Sequence, residues 1–137
     1  MLTLHASCVA WNRKAALITG VAGSGKSGLA LALMGFGCTL IADDGTELTV
    51  ENGLLTARCP PALQGMIEAR GVGLLNARTL PAAPVALCVR MDVTEAERLP
   101  PWRDVTYLGV TLPLLHKSET GHFAAAVLQY LKQGRRS

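Results

Sequence analysis

The chain has 137 residues, of which 50% are hydrophobic, 17% are charged and only 4% are aromatic. This length predicts one domain over residues 1–137, with a core that needs neither metal nor disulfide bonds, and the composition excludes a disordered, collagenous or coiled-coil chain. The formal net charge is only +3, and the basic cluster Lys132, Arg135 and Arg136 suits a helix C-terminus, so no nucleic-acid partner is expected.

Neither a membrane span nor an export signal is predicted. The longest uncharged stretch in the first half, 27–42, has 16 residues and is shorter than the roughly 20 apolar residues that a membrane helix needs. The N-terminus lacks a charged segment followed by a long apolar run. The four cysteines have neither CxxC nor zinc-ligand spacing and are predicted to be small core residues. Free thiols without an export signal predict a cytoplasmic protein.

The first predicted elements are two strands and a helix around a glycine-rich loop. Residues 2–10 predict a strand, and the short turn at 11–14 joins it to a second strand at 15–19 in an antiparallel hairpin. Residues 26–35 are rich in helix formers and are followed by a further glycine, which predicts a helix that stops there. Residues 38–42 then predict a buried strand.

The remaining elements predict an α/β domain in which hairpins adjoin a parallel core. Residues 47–50 and 54–58 flank Glu51-Asn52-Gly53, which is typical of a hairpin turn. A short helix is predicted at about 62–70, after two prolines. The later elements are strands at 74–77 and 85–90, an exposed connection at 94–104, a β-prone segment at 106–115 and a helix at 120–133. This pattern predicts a mixed sheet with flanking helices.

Residues 20–27 carry the strongest motif. They read GVAGSGKS and fit G-x-x-x-x-G-K-[ST] at every fixed position, between an apolar run and a helix-forming run. In this motif backbone N–H groups and a helix N-terminus face a phosphate, Lys26 contacts the β- and γ-phosphates, and Ser27 ligates Mg²⁺. The sequence therefore predicts a site for a nucleoside triphosphate or another polyphosphate. Its predicted phosphate-binding residues are Gly20, Val21, Ala22, Gly23, Ser24, Gly25, Lys26 and Ser27.

An acidic pair, Asp43 and Asp44, follows the predicted strand at 38–42. Carboxylates at the carboxyl end of a strand in a nucleotide-binding sheet face the phosphate loop. One of the two can hold Mg²⁺ through water, and the other can take a proton from an attacking hydroxyl. The alternative is that the pair only begins a turn, with Gly45 supplying a positive φ.

Four segments, taken in order, carry a resemblance to a known family. They are His5 in a short strand, GVAGSGKS at 20–27, LIADD at 40–44 and IEARGVGLLNARTL at 67–80. Together they resemble the catalytic domain of the bacterial HPr kinase/phosphorylase, over roughly residues 3–115. The resemblance implies a P-loop fold similar to phosphoenolpyruvate carboxykinase, often oligomeric. It also implies that the N-terminal domain of the longer family members is absent from this chain.

The family's activity is what the resemblance implies for this chain. That activity is phosphorylation of a serine on the small phosphocarrier protein HPr, with Mg²⁺ and with ATP, another nucleotide or pyrophosphate as the donor. Asp44 matches the base that activates the serine hydroxyl, and Arg98 matches a catalytic arginine at a compressed spacing. The implied catalytic residues are Asp44, Lys26, His5 and Arg98. The implied metal ligands are Ser27, Glu68 and Asp43.

Departures from the family pattern leave alternatives open. Gly28 stands where the family often has Glu. The late loop with arginine and proline that is tied to dephosphorylation is replaced by LHKSETGH at 115–122, so the phosphorylase direction is doubtful. A nucleotide sensor without catalysis is one alternative. A small-molecule kinase is a weaker one, because no insertion could close as a lid over a substrate. A homo-oligomer is a further expectation.

Overall fold

The computed structural model describes residues Met1 to Ser137 and contains eleven strands and two helices. A single 3-10 turn is formed by Pro61–Leu63. The helices are α1 (Lys26–Gly35) and α2 (Phe123–Gln133). The strands are β1 (Leu2–Leu4), β2 (Ser7–Trp11), β3 (Lys14–Thr19), β4 (Thr39–Ala42), β5 (Thr46–Glu51), β6 (Leu54–Arg58), β7 (Met66–Ala69), β8 (Gly73–Asn76), β9 (Ala82–Thr94), β10 (Asp104–Tyr107) and β11 (Val110–Lys117).

Nine strands form one mixed sheet. Along its main path the order is β1-β5-β6-β9-β3-β2-β4, while β11 also pairs with β9, and β10 pairs with β11. The long β9 is antiparallel to β6 at its start and parallel to both β3 and β11 further on. Parallel neighbours end at the same edge of a sheet. The carboxyl ends of β3, β9 and β11 therefore meet at one edge, and β7 and β8 form a separate hairpin.

The two faces of this sheet carry two apolar cores. Alternate residues of β3 contribute to the two cores. Ala16 and Ile18 pack on the face covered by α1 and α2, and Ala15 and Leu17 pack on the opposite face. All four cysteines are free and buried, as predicted. Burial raises the pKa of the Cys88 thiol to about 12, so this thiol stays protonated in the core. Neither helix has the length and apolar character to cross a membrane.

Most predicted elements are confirmed, and two are wrong. The helix at 26–35 and the hairpins β2–β3 and β5–β6 form as expected. The single strand predicted at 2–10 is two strands, because β1 pairs with β5 and β2 pairs with β3 and β4. The helix predicted at 62–70 is a 3-10 turn followed by β7. In β7 the side chains of Ile67 and Ala69 are buried and Glu68 is exposed, which is strand alternation.

Candidate functional site

The phosphate-loop motif connects β3 directly to α1 through residues 20–25. Gly20 has a φ of +141°, and a Cβ at this position would lie 2.5 Å from the Ser24 hydroxyl and 3.2 Å from the backbone nitrogen of Asp92. No side chain fits there without displacing its neighbours. Gly25, which caps the N-terminus of α1, has a φ of +101°, a conformation that favours glycine. The glycines of the motif are therefore required by the path of the loop.

Lys26 folds back onto this loop. Its side chain is buried, and Nζ donates hydrogen bonds to the carbonyl oxygens of Gly20 at 2.9 Å and Val21 at 3.1 Å. The first turn of α1 contains no acidic residue, and no side chain caps it. The partial positive charge of its free N–H groups is thus not neutralised within the protein. Ammonium and helix dipole together favour an anion at the loop.

The hydroxyl of Ser24 is the only buried side-chain nitrogen or oxygen without a hydrogen-bond partner in the structure. Buried polar groups are nearly always paired, so an orphaned hydroxyl inside a loop indicates a missing partner. A phosphate oxygen bound in the loop would accept this hydrogen bond. The residues of the loop therefore fit a phosphate group.

Asp43 joins the loop to the rest of the site. It follows β4 and is 7% exposed. Its Oδ1 accepts hydrogen bonds from the hydroxyls of Ser7 and Ser27, both at 2.7 Å, and its Oδ2 accepts one from the backbone N–H of Glu68 at 3.0 Å. These donors lie on β2, α1 and β7, so one buried carboxylate holds four segments together. The predicted metal ligands Ser27 and Asp43 are in direct contact.

Asp44 lies on the solvent side of the same turn. Its backbone is left-handed, with a φ of +62°, a conformation that Asp adopts more readily than most residues. His5 Nδ1 lies 3.8 Å from Asp44 Oδ1, and the two side chains are 90% and 75% exposed. The structure thus brings together two residues predicted to be catalytic that are far apart in the chain. The carboxylate is open to an incoming hydroxyl group.

Glu68 reaches the site from a strand and not from the predicted helix. Its backbone N–H contacts Asp43, while its side chain is exposed at the beginning of an open cavity of about 490 Å³ lined by residues 68–74. Arg70 lies in the turn between β7 and β8 and lines the same cavity. The hydrogen bond to Asp43 fixes the backbone of Glu68 next to the acidic pair.

Arg98 is not brought into contact with the other predicted catalytic residues. It is exposed in the connection 95–103 and lines a cavity of about 290 Å³ with residues of β11, of the loop after it and of α2. No residue of the phosphate loop or of the acidic pair lines this cavity. Arg103 closes the base of the connection with hydrogen bonds of 3.2 and 3.1 Å to Glu95, and these bonds lower the pKa of the Glu95 carboxyl.

The side-chain oxygens at the phosphate loop are suitable ligands for an Mg²⁺ ion that is bound together with a polyphosphate. No three His, Cys, Asp or Glu side chains form a cluster that could hold a metal ion by themselves. Mg²⁺ prefers hard oxygen ligands and is usually bound by one or two carboxylates plus waters and substrate phosphates. The hydroxyl of Ser27 and the carboxylate of Asp43 are such ligands, and they touch beside the loop. These residues fit a metal ion that arrives with its substrate.

Two features of the site were missed by the sequence predictions. Ser7 donates a hydrogen bond to Asp43. It lies on β2, which pairs with β4, the strand that precedes the acidic pair, and this pairing was the available signal. Arg90 and Asp92 lie at the end of β9, where Arg90 Nε donates to Asp92 Oδ1 at 2.9 Å. A charged pair closing an apolar strand was the signal for this second feature. Only the parallel pairing of β9 with β3 sets this charged pair beside the phosphate loop, and the sequence alone does not show that pairing.

Replacing Asp43 with alanine is expected to lower the free energy of unfolding by about 1–3 kcal/mol, because it leaves the buried Ser7 hydroxyl and the Glu68 N–H without an acceptor. Denaturant unfolding curves of the wild type and of Asp43→Ala measure the difference. Asp44→Asn is the matched control, since it changes the exposed neighbour and is expected to stay within about 0.5 kcal/mol of wild type. Equal stability of all three proteins would show that the hydrogen bonds of Asp43 do not hold the site together.

Comparisons with known proteins agree on one family. The family model described as the HPr Serine kinase C-terminal domain matches residues 1–85. An HPr kinase/phosphorylase from Bordetella petrii is 51% identical over 65 residues, which are 47% of this chain and 21% of that protein. An HPr kinase/phosphorylase from Xanthomonas campestris pv. campestris is 45% identical over 80 residues, 58% of this chain and 25% of that protein. The matched segments therefore span a quarter or less of the length of these curated relatives.

A solved structure extends the likeness to almost the whole chain. The structure of the Hpr(Ser) kinase/phosphatase from Coxiella burnetii matches with a TM-score of 0.79 and 26% sequence identity, over 97% of this chain and 89% of that chain. This match confirms the predicted α/β fold with a mixed sheet. It also includes elements beyond residue 85, the last residue that the family model matches.

Proposed function

The chain belongs to the HPr serine kinase C-terminal domain family, and from this membership we propose that it is a kinase that phosphorylates a serine of an HPr-like phosphocarrier protein. The proposed phosphoryl donor is ATP with Mg²⁺, or another nucleoside triphosphate or pyrophosphate in its place. The observation that carries the proposal is the contact between Ser27 and Asp43. It sets the phosphate loop directly beside the acidic pair, so a phosphoryl donor and a proton acceptor would adjoin.

In this proposal the phosphate loop binds and orients the donor. The free N–H groups at the start of α1 and the ammonium of Lys26 face the negative charge of the phosphates, and the orphaned Ser24 hydroxyl donates to a phosphate oxygen. Because these groups are held in place before the donor arrives, little reorganisation is needed during the reaction.

Ser27, Asp43 and Glu68 are the residues that would hold Mg²⁺. When bound, the ion would shield the negative charge of the phosphates and so ease the approach of a nucleophile. The chain's own contribution is to hold these groups at the loop. Asp43 does so through its hydrogen bonds to the Ser27 hydroxyl and to the Glu68 backbone.

Asp44 is proposed to be the general base. Its exposed carboxylate would accept the proton of the carrier's serine hydroxyl as the serine oxygen bonds to the terminal phosphorus and the bond to the bridging oxygen breaks. The bridging oxygen leaves with the nucleoside diphosphate, or with orthophosphate when pyrophosphate is the donor. His5 lies beside the carboxylate and would orient it. Arg98 is given no step in this scheme, because the cavity that it lines contains no residue of the phosphate loop or of the acidic pair.

The test is a transfer assay with the purified chain, MgATP and an HPr-like carrier from the same organism. We expect phosphoserine on the carrier, detected by peptide mass spectrometry, and its loss when the mapped serine is changed to alanine. Absence of phosphoserine on a carrier that a longer relative does modify would overturn the proposal. ATP binding without any transfer would favour the nucleotide sensor. The predicted cytoplasmic location and homo-oligomer stay predictions.

A further inference from the structure

Arg90 lies beside the phosphate loop at the carboxyl edge of the sheet. Because β9 runs parallel to β3, Arg90 is in register with the last residue of β3, directly before Gly20. The backbone nitrogen of Asp92 would be 3.2 Å from a Cβ on Gly20, and Met91 Cε would be 3.5 Å from a Cβ on Gly25. The end of β9 therefore packs against both ends of the loop.

One nitrogen of the Arg90 guanidinium is hydrogen-bonded within the protein, and the other two have no hydrogen-bond partner. Its Nε donates to Asp92 Oδ1 at 2.9 Å, its two terminal nitrogens make no hydrogen bond in the structure, and its side chain is 51% exposed. The hydrogen bond from Arg90 lowers the pKa of the Asp92 carboxyl, and the charge of Lys26 acts in the same direction. Asp92 therefore lies within electrostatic reach of both cations.

We propose that Arg90 is a second phosphate-binding residue, which binds the same polyphosphate as Lys26 through its terminal nitrogens. The inference rests on the proposed function, since it requires a polyphosphate in the loop. A planar guanidinium presents paired N–H donors that match phosphate oxygens, and the bond from Nε to Asp92 fixes its plane. Side chains alternate along β9, so Arg90 faces away from the side of the sheet that α1 covers. The two cations would hold the polyphosphate from two sides.

The test is isothermal titration calorimetry of the full chain and of Arg90→Ala with MgATP and with inorganic pyrophosphate. We expect the variant's dissociation constants for both probes to rise about tenfold, since charge-assisted hydrogen bonds to phosphate are lost. Arg90→Lys should give an intermediate value, because it keeps the charge without the paired donors. Arg13→Ala is the matched control. It removes the same charge in the turn between β2 and β3, at the opposite edge of the sheet, and should bind as the wild type does.

A double variant separates phosphate binding from simple charge neutralisation. Arg90→Ala leaves the Asp92 carboxylate unpaired, which by itself would repel an anion. Arg90→Ala/Asp92→Asn removes both charges, and we expect its affinity to stay low. Wild-type affinity in the double variant, or in Arg90→Ala alone, would overturn the inference and leave the proposed function standing. Failure of the unmodified chain to bind either probe would overturn both.

Discussion

Replacing Lys26 with methionine is expected to lower kcat/KM for phosphoryl transfer to the carrier by about 10²–10³-fold, the range found when one preorganised donor at a developing charge is removed. Lys26 is the only buried cationic residue of the chain, and its ammonium is hydrogen-bonded within the phosphate loop. Methionine keeps the length and apolar character of the buried stem, so the fold is expected to persist. Initial rates of phosphoserine formation at several MgATP concentrations measure the effect.

Lys14→Met is the matched control for this experiment. Lys14 is exposed at the start of β3, at the other end of the strand that leads into the loop. The same change of side chain there should leave the rate at the wild-type value, and thermal unfolding of both variants checks that each is folded. A folded Lys26→Met protein with a rate near wild type would show that the ammonium does not contact the transferred group.

Replacing Asp44 with asparagine is expected to lower kcat by about 10²–10⁴-fold, because the amide cannot accept the proton of the serine hydroxyl. Asparagine suits the left-handed backbone at this position, where φ is +62°, so the turn should be preserved. No hydrogen bond of the site joins Asp44 to the phosphate loop, so the affinity of the variant for MgATP should be unchanged. Transfer rates and calorimetric titrations measure the two quantities separately.

Asp104→Asn provides the matched control, since Asp104 is an exposed carboxylate on β10. It should neither slow transfer nor weaken binding. An Asp44→Asn variant that transfers phosphate at the wild-type rate would remove Asp44 from the proposed mechanism. A wild-type chain that binds MgATP but has no transfer activity to lose would instead support the sensor alternative.

The parts of the fold that follow from local sequence were predictable. The phosphate loop and α1 depend on a motif of adjacent residues, and the helix forms at its predicted bounds. The β5–β6 hairpin depends on a turn at Asn52-Gly53, whose positive φ angles suit that pair. Residues 62–70 could not be assigned in this way. They include several helix formers, but pairing with β8 and the hydrogen bond from Glu68 to Asp43 hold part of this segment extended.

The candidate site likewise has parts that local sequence predicts and parts that depend on strand pairing. The contact between Ser27 and Asp43 follows from the predicted loop and strand and is present in the structure. The roles of Ser7 and Arg90 depend on which strands pair, which no local pattern reveals. Arg98 is predicted only from the resemblance, at a compressed spacing, and in the structure it lines a cavity with residues of β11 and α2 and with none of the phosphate loop.

The position of β3 between β2 and β9 has a consequence for how the molecule folds. β2 precedes β3 immediately in the chain, but β9 begins only at Ala82. Until those later residues have been synthesised, β3 is an open edge with the apolar run Ala15–Ile18, which invites pairing with another chain. Contacts so distant in sequence also slow folding. The phosphate-loop motif lies near the N-terminus, whereas β9, which packs against the loop, comes much later in the chain. A nascent or truncated chain that ends before β9 would therefore carry the motif without a formed site.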